Sequence, residues 1–235
     1  MARGENNVRY AQAPPTKAAS AVYVTLVAQV LSLGSLVIFE EIRGRRLAAQ
    51  LAAFGGRPYG ADAEAVVGAV TVFAVLMMLV AGTTVAAAVA YLTWLVRARQ
   101  VNDRSVPSGP VVTAWLVPGL NLVAPPVLVD EIWRGSHPPI DRRVRWLALL
   151  GAWWVSWLAT LALVGSRLLF ESSPGDLTGI GVPELACLSL AALLCAATVR
   201  TITDIQRRPA PLAAVQPVRP LVPPAPESAP LGQTG

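Results

Sequence analysis

Four long stretches without a charged residue constrain this chain more than any other feature of its sequence. Residues 18–39, 65–96 and 146–166 contain no Asp, Glu, Lys or Arg, and residues 185–199 form a shorter fourth stretch. A helix needs about 20 apolar residues to cross the hydrocarbon core of a bilayer. The sequence therefore predicts an all-α integral membrane bundle of four transmembrane helices, at about 18–39, 66–96, 146–166 and 180–204.

The composition excludes an ordinary soluble protein. Only 14% of the 235 residues are charged and 54% are hydrophobic, whereas soluble domains carry about 25% charged residues. The net charge of +5 does not require a nucleic-acid partner, because basic residues beside apolar spans are typical of cytoplasmic loops that face anionic lipid. We therefore expect the lipid bilayer as a partner and no nucleic acid.

A fifth uncharged stretch, residues 105–129, is interrupted by five prolines. Each proline inside a regular helix costs about 3 kcal/mol, so a straight crossing is disfavoured. The pattern instead predicts a hairpin of two short helices over about 108–135, with a turn at residues 118–121. Its broken backbone needs polar partners, so the hairpin is expected either to be re-entrant and packed against the other helices or to lie in the membrane interface.

The distribution of basic residues predicts the orientation of the chain. With four crossings and a cytoplasmic N-terminus, 14 of the 19 basic residues lie inside and 5 outside. A fifth crossing at 105–129 would leave 7 inside and 12 outside, against the positive-inside rule. We therefore predict a plasma-membrane protein with both termini in the cytoplasm, in which Glu40 and Glu41 pair at helical spacing with the arginines of segment 43–46.

The two tails differ in composition from the predicted membrane domain, residues 18–206. Residues 1–17 are polar and are predicted to be disordered. Residues 207–235 are also predicted to be disordered, because eight prolines follow residue 208 and almost no side chain there can build a core. This tail is interpreted either as a stiff linker or as a docking site for a proline-binding protein.

Charged, polar and aromatic residues around the broken segment are the candidates for a structural or binding cluster. They are Arg97, Arg99, Asn121, Asp130, Glu131 and Trp133. The arginines at the end of the second helix either hold a lipid phosphate or anchor that helix end. Asn121 either lines a polar cavity or caps a turn. The two carboxylates either pair with Arg97, Arg99 or Arg134, which would fasten the hairpin to the second helix, or lie on a solvated face at the membrane interface.

The sequence contains no pattern typical of a catalytic or metal site. His137 is the single histidine, and Cys187 and Cys195 are eight residues apart, about 12 Å along a helix and too far for a disulfide within it. Asp130 and Glu131 are adjacent and point in different directions on a helix, which disfavours a catalytic carboxylate pair. We therefore predict no metal, no cofactor, no catalytic residue and no enzymatic activity.

One group of motifs resembles a known family. The motifs are W-x-x-R-A-R at 94–99, P-x-x-N-L at 118–122 followed by E-I-W at 131–133, and the pair Trp153-Trp154. They resemble the actinobacterial membrane proteins grouped as domain of unknown function family 4328, over roughly residues 60–205. The resemblance implies a multi-pass membrane protein and implies no reaction.

Three classes of function remain open from the sequence. The leading hypothesis is a non-enzymatic interaction or regulatory protein that binds an unknown membrane or cytoplasmic protein. The alternative is a small transporter or channel subunit in which the broken hairpin lines a cavity that reaches Asn121. A weaker alternative is an enzyme acting on a lipid-linked substrate, which would bring several polar groups to one reacting position.

Overall fold

The described part of the protein consists of helices and turns. A computed structural model describes residues 15–53, 62–102, 109, 117, 119–169 and 177–208, and these residues include no β-strand. The helices are α1 (Thr16–Phe39), α2 (Arg45–Ala53), α3 (Asp62–Asn102), α4 (Ala124–Gly135), α5 (Arg143–Leu169) and α6 (Val182–Arg207). A π-helical turn, Glu40–Gly44, joins α1 to α2, and short 3-10 turns occupy Leu120–Leu122 and Ile140–Arg142.

Four helical segments are long and apolar enough to cross a membrane. They are Thr16–Gln50, Glu64–Asn102, Arg143–Arg167 and Val182–Arg207. The prediction of an all-α protein with four such helices is thus confirmed for the described residues. The outer face of α3 is apolar, with Met78 75% exposed and Val85 63% exposed. Continuous apolar surface of this kind is unfavourable in water and fits contact with lipid.

The chain remains helical beyond the end of α1 at Phe39, although charged residues follow. It continues through the π-helical turn into α2, which ends at Ala53. A π-helical turn shifts the phase of a helix, and here Glu40 is buried while Glu41 is exposed. Gly44 makes room for the buried carboxylate, because a Cβ atom at Gly44 would lie 2.9 Å from Glu40 Cγ.

The consecutive long helices α1 and α3 run antiparallel to each other. Leu36, near the end of α1, belongs to one buried cluster, and Phe73 from the first half of α3 packs against that cluster. Val22, near the start of α1, is in another with Trp94 from the end of α3. We call the end of the bundle that holds Thr16, Asn102, Arg143 and Arg207 the terminal end, and the other end the opposite end.

The larger core lies at the terminal end and includes the helix that follows the prolines. Val129, Ile132 and Trp133 of α4 are each at most 4% exposed within it. Pro125 and Pro126 occupy the first turn of α4, where a missing N–H costs nothing because no helical partner exists for it. The turn before it contains Gly119 with φ of 89°, a conformation that favours glycine.

Several predictions concern residues outside the described ranges. The N-terminal tail up to residue 14, the first arm of the predicted hairpin and the tail from residue 209 onward belong to this group. The disorder of the tails and the domain boundaries therefore stay predictions.

Candidate functional site

Asp130 fastens α4 to α5 at the terminal end. Arg143 donates from Nη1 to Oδ1 at 2.5 Å and from Nη2 to Oδ2 at 2.9 Å, a two-pronged contact. The indole N–H of Trp146 donates to Oδ1 at 2.9 Å, and Arg134 Nη2 lies 2.7 Å from Oδ2. Oδ1 therefore accepts two hydrogen bonds, Oδ2 accepts one and also pairs with Arg134, and the Asp130 side chain is only 13% exposed.

The surroundings of Asp130 favour its charged form. Burial by itself raises the pKa of the carboxyl, but hydrogen bonds from Arg143 and Trp146 and the charges of Arg143 and Arg134 lower it by more. The pKa of Asp130 is therefore below its ordinary value. A carboxylate held in this way remains charged at neutral pH and serves as a fixed anchor.

Two tryptophans complete this anchor. Trp133 of α4 stacks on Trp146 of α5 with ring centroids 5.4 Å apart and an interplanar angle of 5°. The Arg143 guanidinium carbon lies 5.1 Å from the centroid of the Trp133 ring, so Arg143 combines an ion pair with a cation–π contact. Both indoles are at most 4% exposed. We call Asp130, Trp133, Arg143 and Trp146 the Asp130 cluster.

The C-terminal end of α4 is tied to α3 and α6 by side-chain amides. Asn102 Nδ2 donates to the Ile132 carbonyl at 2.9 Å, and Gln206 Nε2 donates to the Ala98 carbonyl at 2.9 Å and to Ser136 Oγ at 3.2 Å. Gly135 permits this approach, since a Cβ atom there would lie 2.6 Å from Asn102 Nδ2. No sequence pattern singled out these amides, apart from the position of Asn102 just beyond the W-x-x-R-A-R motif.

The structure brings some of the predicted cluster together and leaves others apart. Arg99 Nη2 lies 3.7 Å from Glu131 Oε2, a loose contact with Glu131 55% exposed. Asp130 pairs with Arg134, as the sequence suggested, and also with Arg143, which it did not. Arg97 is exposed and forms no ion pair with any described residue. Asn121 lies at the other end of α4, with its side-chain oxygen buried and without a described partner.

A further hydrogen bond fixes the depth of the turn that precedes α4. Trp154 Nε1 donates to the Leu122 carbonyl at 3.1 Å, whereas Trp146 binds Asp130. Eight residues of α5 separate the two tryptophans, about 12 Å along the helix axis. The start of α4 therefore reaches further along α5, toward the middle of its span, than Asp130 does.

Two buried glutamates organise the opposite end. Glu40 accepts backbone N–H groups from Leu177, Thr178 and Gly179 at 3.1, 2.8 and 3.1 Å, and it also accepts the Thr178 hydroxyl. Glu184 accepts the Gly181 N–H at 2.9 Å and pairs with Arg167 Nε at 3.1 Å. The predicted pairing with the arginines of segment 43–46 is wrong for Glu40, because backbone N–H groups of another loop occupy its carboxylate. The described residues also show no ion pair between Glu41 and these arginines.

Three cavities accompany these groups. One of about 520 Å³ opens at the terminal end beside Trp133 and Trp146. One of about 220 Å³ lies between the spans, against Gln29, Thr84 and Trp157. One of about 160 Å³ lies at the opposite end, beside Glu40 and Arg167. Asn121 lines none of these three. Within the described ranges no group of three His, Cys, Asp or Glu side chains could hold a metal ion.

The comparisons with known proteins agree with the motifs around α3 and α4. No curated protein and no solved structure matches the chain. The model of one family, described as a domain of unknown function, matches residues 57–207, which include α3 to α6 and the Asp130 cluster. This chain therefore belongs to the domain of unknown function family DUF4328.

Proposed function

We propose that this protein is a non-enzymatic interaction or regulatory protein of the membrane, and that α4 and the turn before it present its binding surface. The observation that carries the proposal is that Asp130 accepts three hydrogen bonds and also forms an ion pair with Arg134. A catalytic acid or base must reach a substrate proton, whereas this carboxylate is committed to holding α4 against α5. Asp130 thus serves to position α4.

We further propose that residues 108–135 form a re-entrant hairpin with α4 as its second arm. The hydrogen bond between Trp154 and the Leu122 carbonyl supports this, since it lies about 12 Å deeper along α5 than Asp130 does. Exposed apolar side chains in the same turn also support it: Leu122 is 54% exposed and Val123 is 66% exposed. At this depth the surroundings are acyl chains or the apolar helices of another membrane protein, and we propose the latter as the partner.

The distribution of charge supports a plasma-membrane location with both termini in the cytoplasm. Thr16, Asn102, Arg143 and Arg207 lie at the terminal end, so the segments that precede Thr16, link Asn102 to Arg143 and follow Arg207 all join the bundle there. Fourteen of the 19 basic residues belong to these segments and the adjoining helix ends, counted as residues 1–17, 97–145 and 200–235. Short loops rich in arginine and lysine are retained on the cytoplasmic side.

Photo-crosslinking tests the partner surface. A photoreactive amino acid in place of Val123 is expected to give one discrete protein adduct in native membranes, because that side chain faces the proposed partner. The same amino acid in place of Val85 is the control, since Val85 is 63% exposed on α3, close to the 66% of Val123. In the reciprocal experiment, a photoreactive amino acid placed in the captured protein must form a crosslink to this chain. Lipid adducts alone at position 123, or the same protein pattern from both positions, would refute the proposal.

A second candidate function is that of a small transporter or channel subunit. The cavity between the spans favours it, because Gln29 Nε2 donates to Thr84 Oγ1 at 3.1 Å beside that cavity. Gln29 lies 13 residues beyond the start of α1, about 20 Å along the helix and thus near the middle of the span. Polar side chains at such a depth are uncommon and frequently line pathways.

Thiol labelling decides whether that cavity admits water. With both native cysteines replaced by alanine, Ala88→Cys is expected to react with a charged, membrane-impermeant thiol reagent if the second function is right, since Ala88 lines the cavity. Val85→Cys on the same helix is the control, because its side chain faces outward. Equal lack of reaction at the two positions would exclude an aqueous pathway through this cavity.

A further inference from the structure

The cavity at the terminal end is lined by arginines from two distant parts of the chain. Arg142 ends the 3-10 turn before α5, Arg145 lies in the first turn of α5, and Arg208 follows the end of α6. All three side chains are exposed, and none forms an ion pair with a residue in the described ranges. Their neighbour Arg143 is different, because its guanidinium is bound to Asp130. The fold therefore brings three uncommitted guanidinium groups to one opening.

The acidic residues of the same cavity do not neutralise these arginines fully. Asp204 is shared between Arg200 at 3.6 Å and Arg207 at 3.7 Å on its own helix. Asp141 is the remaining carboxylate in the lining. Three arginines thus face one unshared carboxylate. This balance attracts a single anionic group, while Asp141 would repel a ligand with several negative charges close together.

The cavity lies at the level where a membrane meets water. Arg143 begins one candidate span and Arg207 ends another, and both adjoin the lining. Its inner wall is formed by the stacked indoles of Trp133 and Trp146, and tryptophan is enriched at membrane interfaces. The anionic group available at this level is phosphate, which arginine binds through paired N–H donors.

We propose that this cavity binds one phosphate group of a small ligand, carried either by a lipid headgroup or by a soluble phosphate ester. A volume of about 520 Å³ leaves room for a substituent on the phosphate, and ligand cavities have about 300–1,000 Å³. The indole wall receives the apolar part of that substituent. The site is independent of the proposed partner surface, since Val123 does not line it.

Ligand-induced stabilisation tests the site and separates the two sources. The full chain in a neutral detergent is titrated with short-chain phosphatidylglycerol, with diacylglycerol of the same chain length and with glycerol phosphate, while thermal unfolding is followed. Phosphatidylglycerol is expected to raise Tm with saturation and diacylglycerol to leave it unchanged. If glycerol phosphate raises Tm equally, the ligand is a soluble ester. If only the lipid does so, the ligand is a headgroup.

Matched variants assign the effect to the cavity. The double substitution Arg142→Gln and Arg145→Gln, and separately Arg208→Gln, are expected to weaken binding of the stabilising probe by about tenfold or more, since each removes charge-assisted hydrogen bonds. Arg46→Gln is the control, because Arg46 is an exposed arginine at the opposite end that does not line the cavity. Absence of stabilisation by any phosphate probe, or equal weakening in Arg46→Gln, would overturn the proposal.

Discussion

Replacing Asp130 by asparagine is expected to destabilise the helical bundle by about 3 kcal/mol, because removing one member of a largely buried ion pair leaves the other charge without compensation. Arg143 would lose its two-pronged contact, and the indole N–H of Trp146 would lose its charged acceptor. The measurement is thermal or denaturant unfolding of the purified chain in detergent, where Asp130→Asn should unfold several degrees below the unsubstituted protein.

The neighbouring residue supplies the control for this prediction. Glu131 carries the same charge on the same helix, but it is 55% exposed and has one contact at 3.7 Å. Exposed pairs of this kind contribute about 0–1 kcal/mol. Glu131→Gln should therefore unfold almost as the unsubstituted protein does. Equal loss of stability in the two variants would show that net charge, and not the Asp130 cluster, holds α4.

We expect the stabilising contribution of Asp130 to depend on pH, and the same variant tests this. The pKa of Asp130 lies below its ordinary value of 3.8 in the folded protein. Its contribution is therefore present above about pH 4 and is lost as the pH falls further, through the folded pKa. The difference in stability between the unsubstituted protein and Asp130→Asn should be full at neutral pH and should shrink at about pH 3. A difference that stays constant over this range would contradict an ionised Asp130.

Glu40→Ala is expected to destabilise the opposite end by about 3 kcal/mol, because unpaired buried backbone N–H groups cost about 1–3 kcal/mol each and water reaches some of them. The carboxylate accepts the N–H groups of Leu177, Thr178 and Gly179. Besides a lower Tm, faster hydrogen exchange of these three amides should follow, since they would open to solvent.

Glu41→Ala is the matched control for Glu40. The two residues are adjacent in the same π-helical turn, but Glu41 is exposed. Its replacement should leave both Tm and the exchange of residues 177–179 unchanged. If Glu41→Ala accelerated exchange there as much as Glu40→Ala, the loop would depend on the general negative charge of this turn and not on one carboxylate.

The sequence was sufficient for the architecture and insufficient for the contacts. Uncharged length is a local property that can be read from consecutive residues, so the four spans could be predicted before the fold was known. The first span was predicted to end at Phe39 because Glu40 is charged, and α1 does end there, but the chain stays helical as far as Ala53. A buried carboxylate is tolerated there because donors from a loop 137 residues away along the chain satisfy it.

In the candidate site, too, the residues could be predicted from the sequence but their contact partners could not. Asp130, Glu131 and Trp133 could be selected because they follow the prolines in a motif that the family resemblance supported. Their partners could not be selected, since Arg143 and Trp146 lie 13 and 16 residues from Asp130 on another helix. The periodicity of a helix indicates which of its residues share a face. It does not indicate which face of another helix packs against that face.

By itself, the sequence determined that this chain is helical, apolar over four spans and interrupted by prolines near its middle. Each of these properties depends only on residue type and spacing along the chain. Only the tertiary structure decided that α4 is fastened through Asp130, that Glu40 faces inward and that three arginines meet at one cavity. The physical reason is that a buried or concentrated charge is stable only beside particular donors or acceptors, and the packing of distant segments determines where those are.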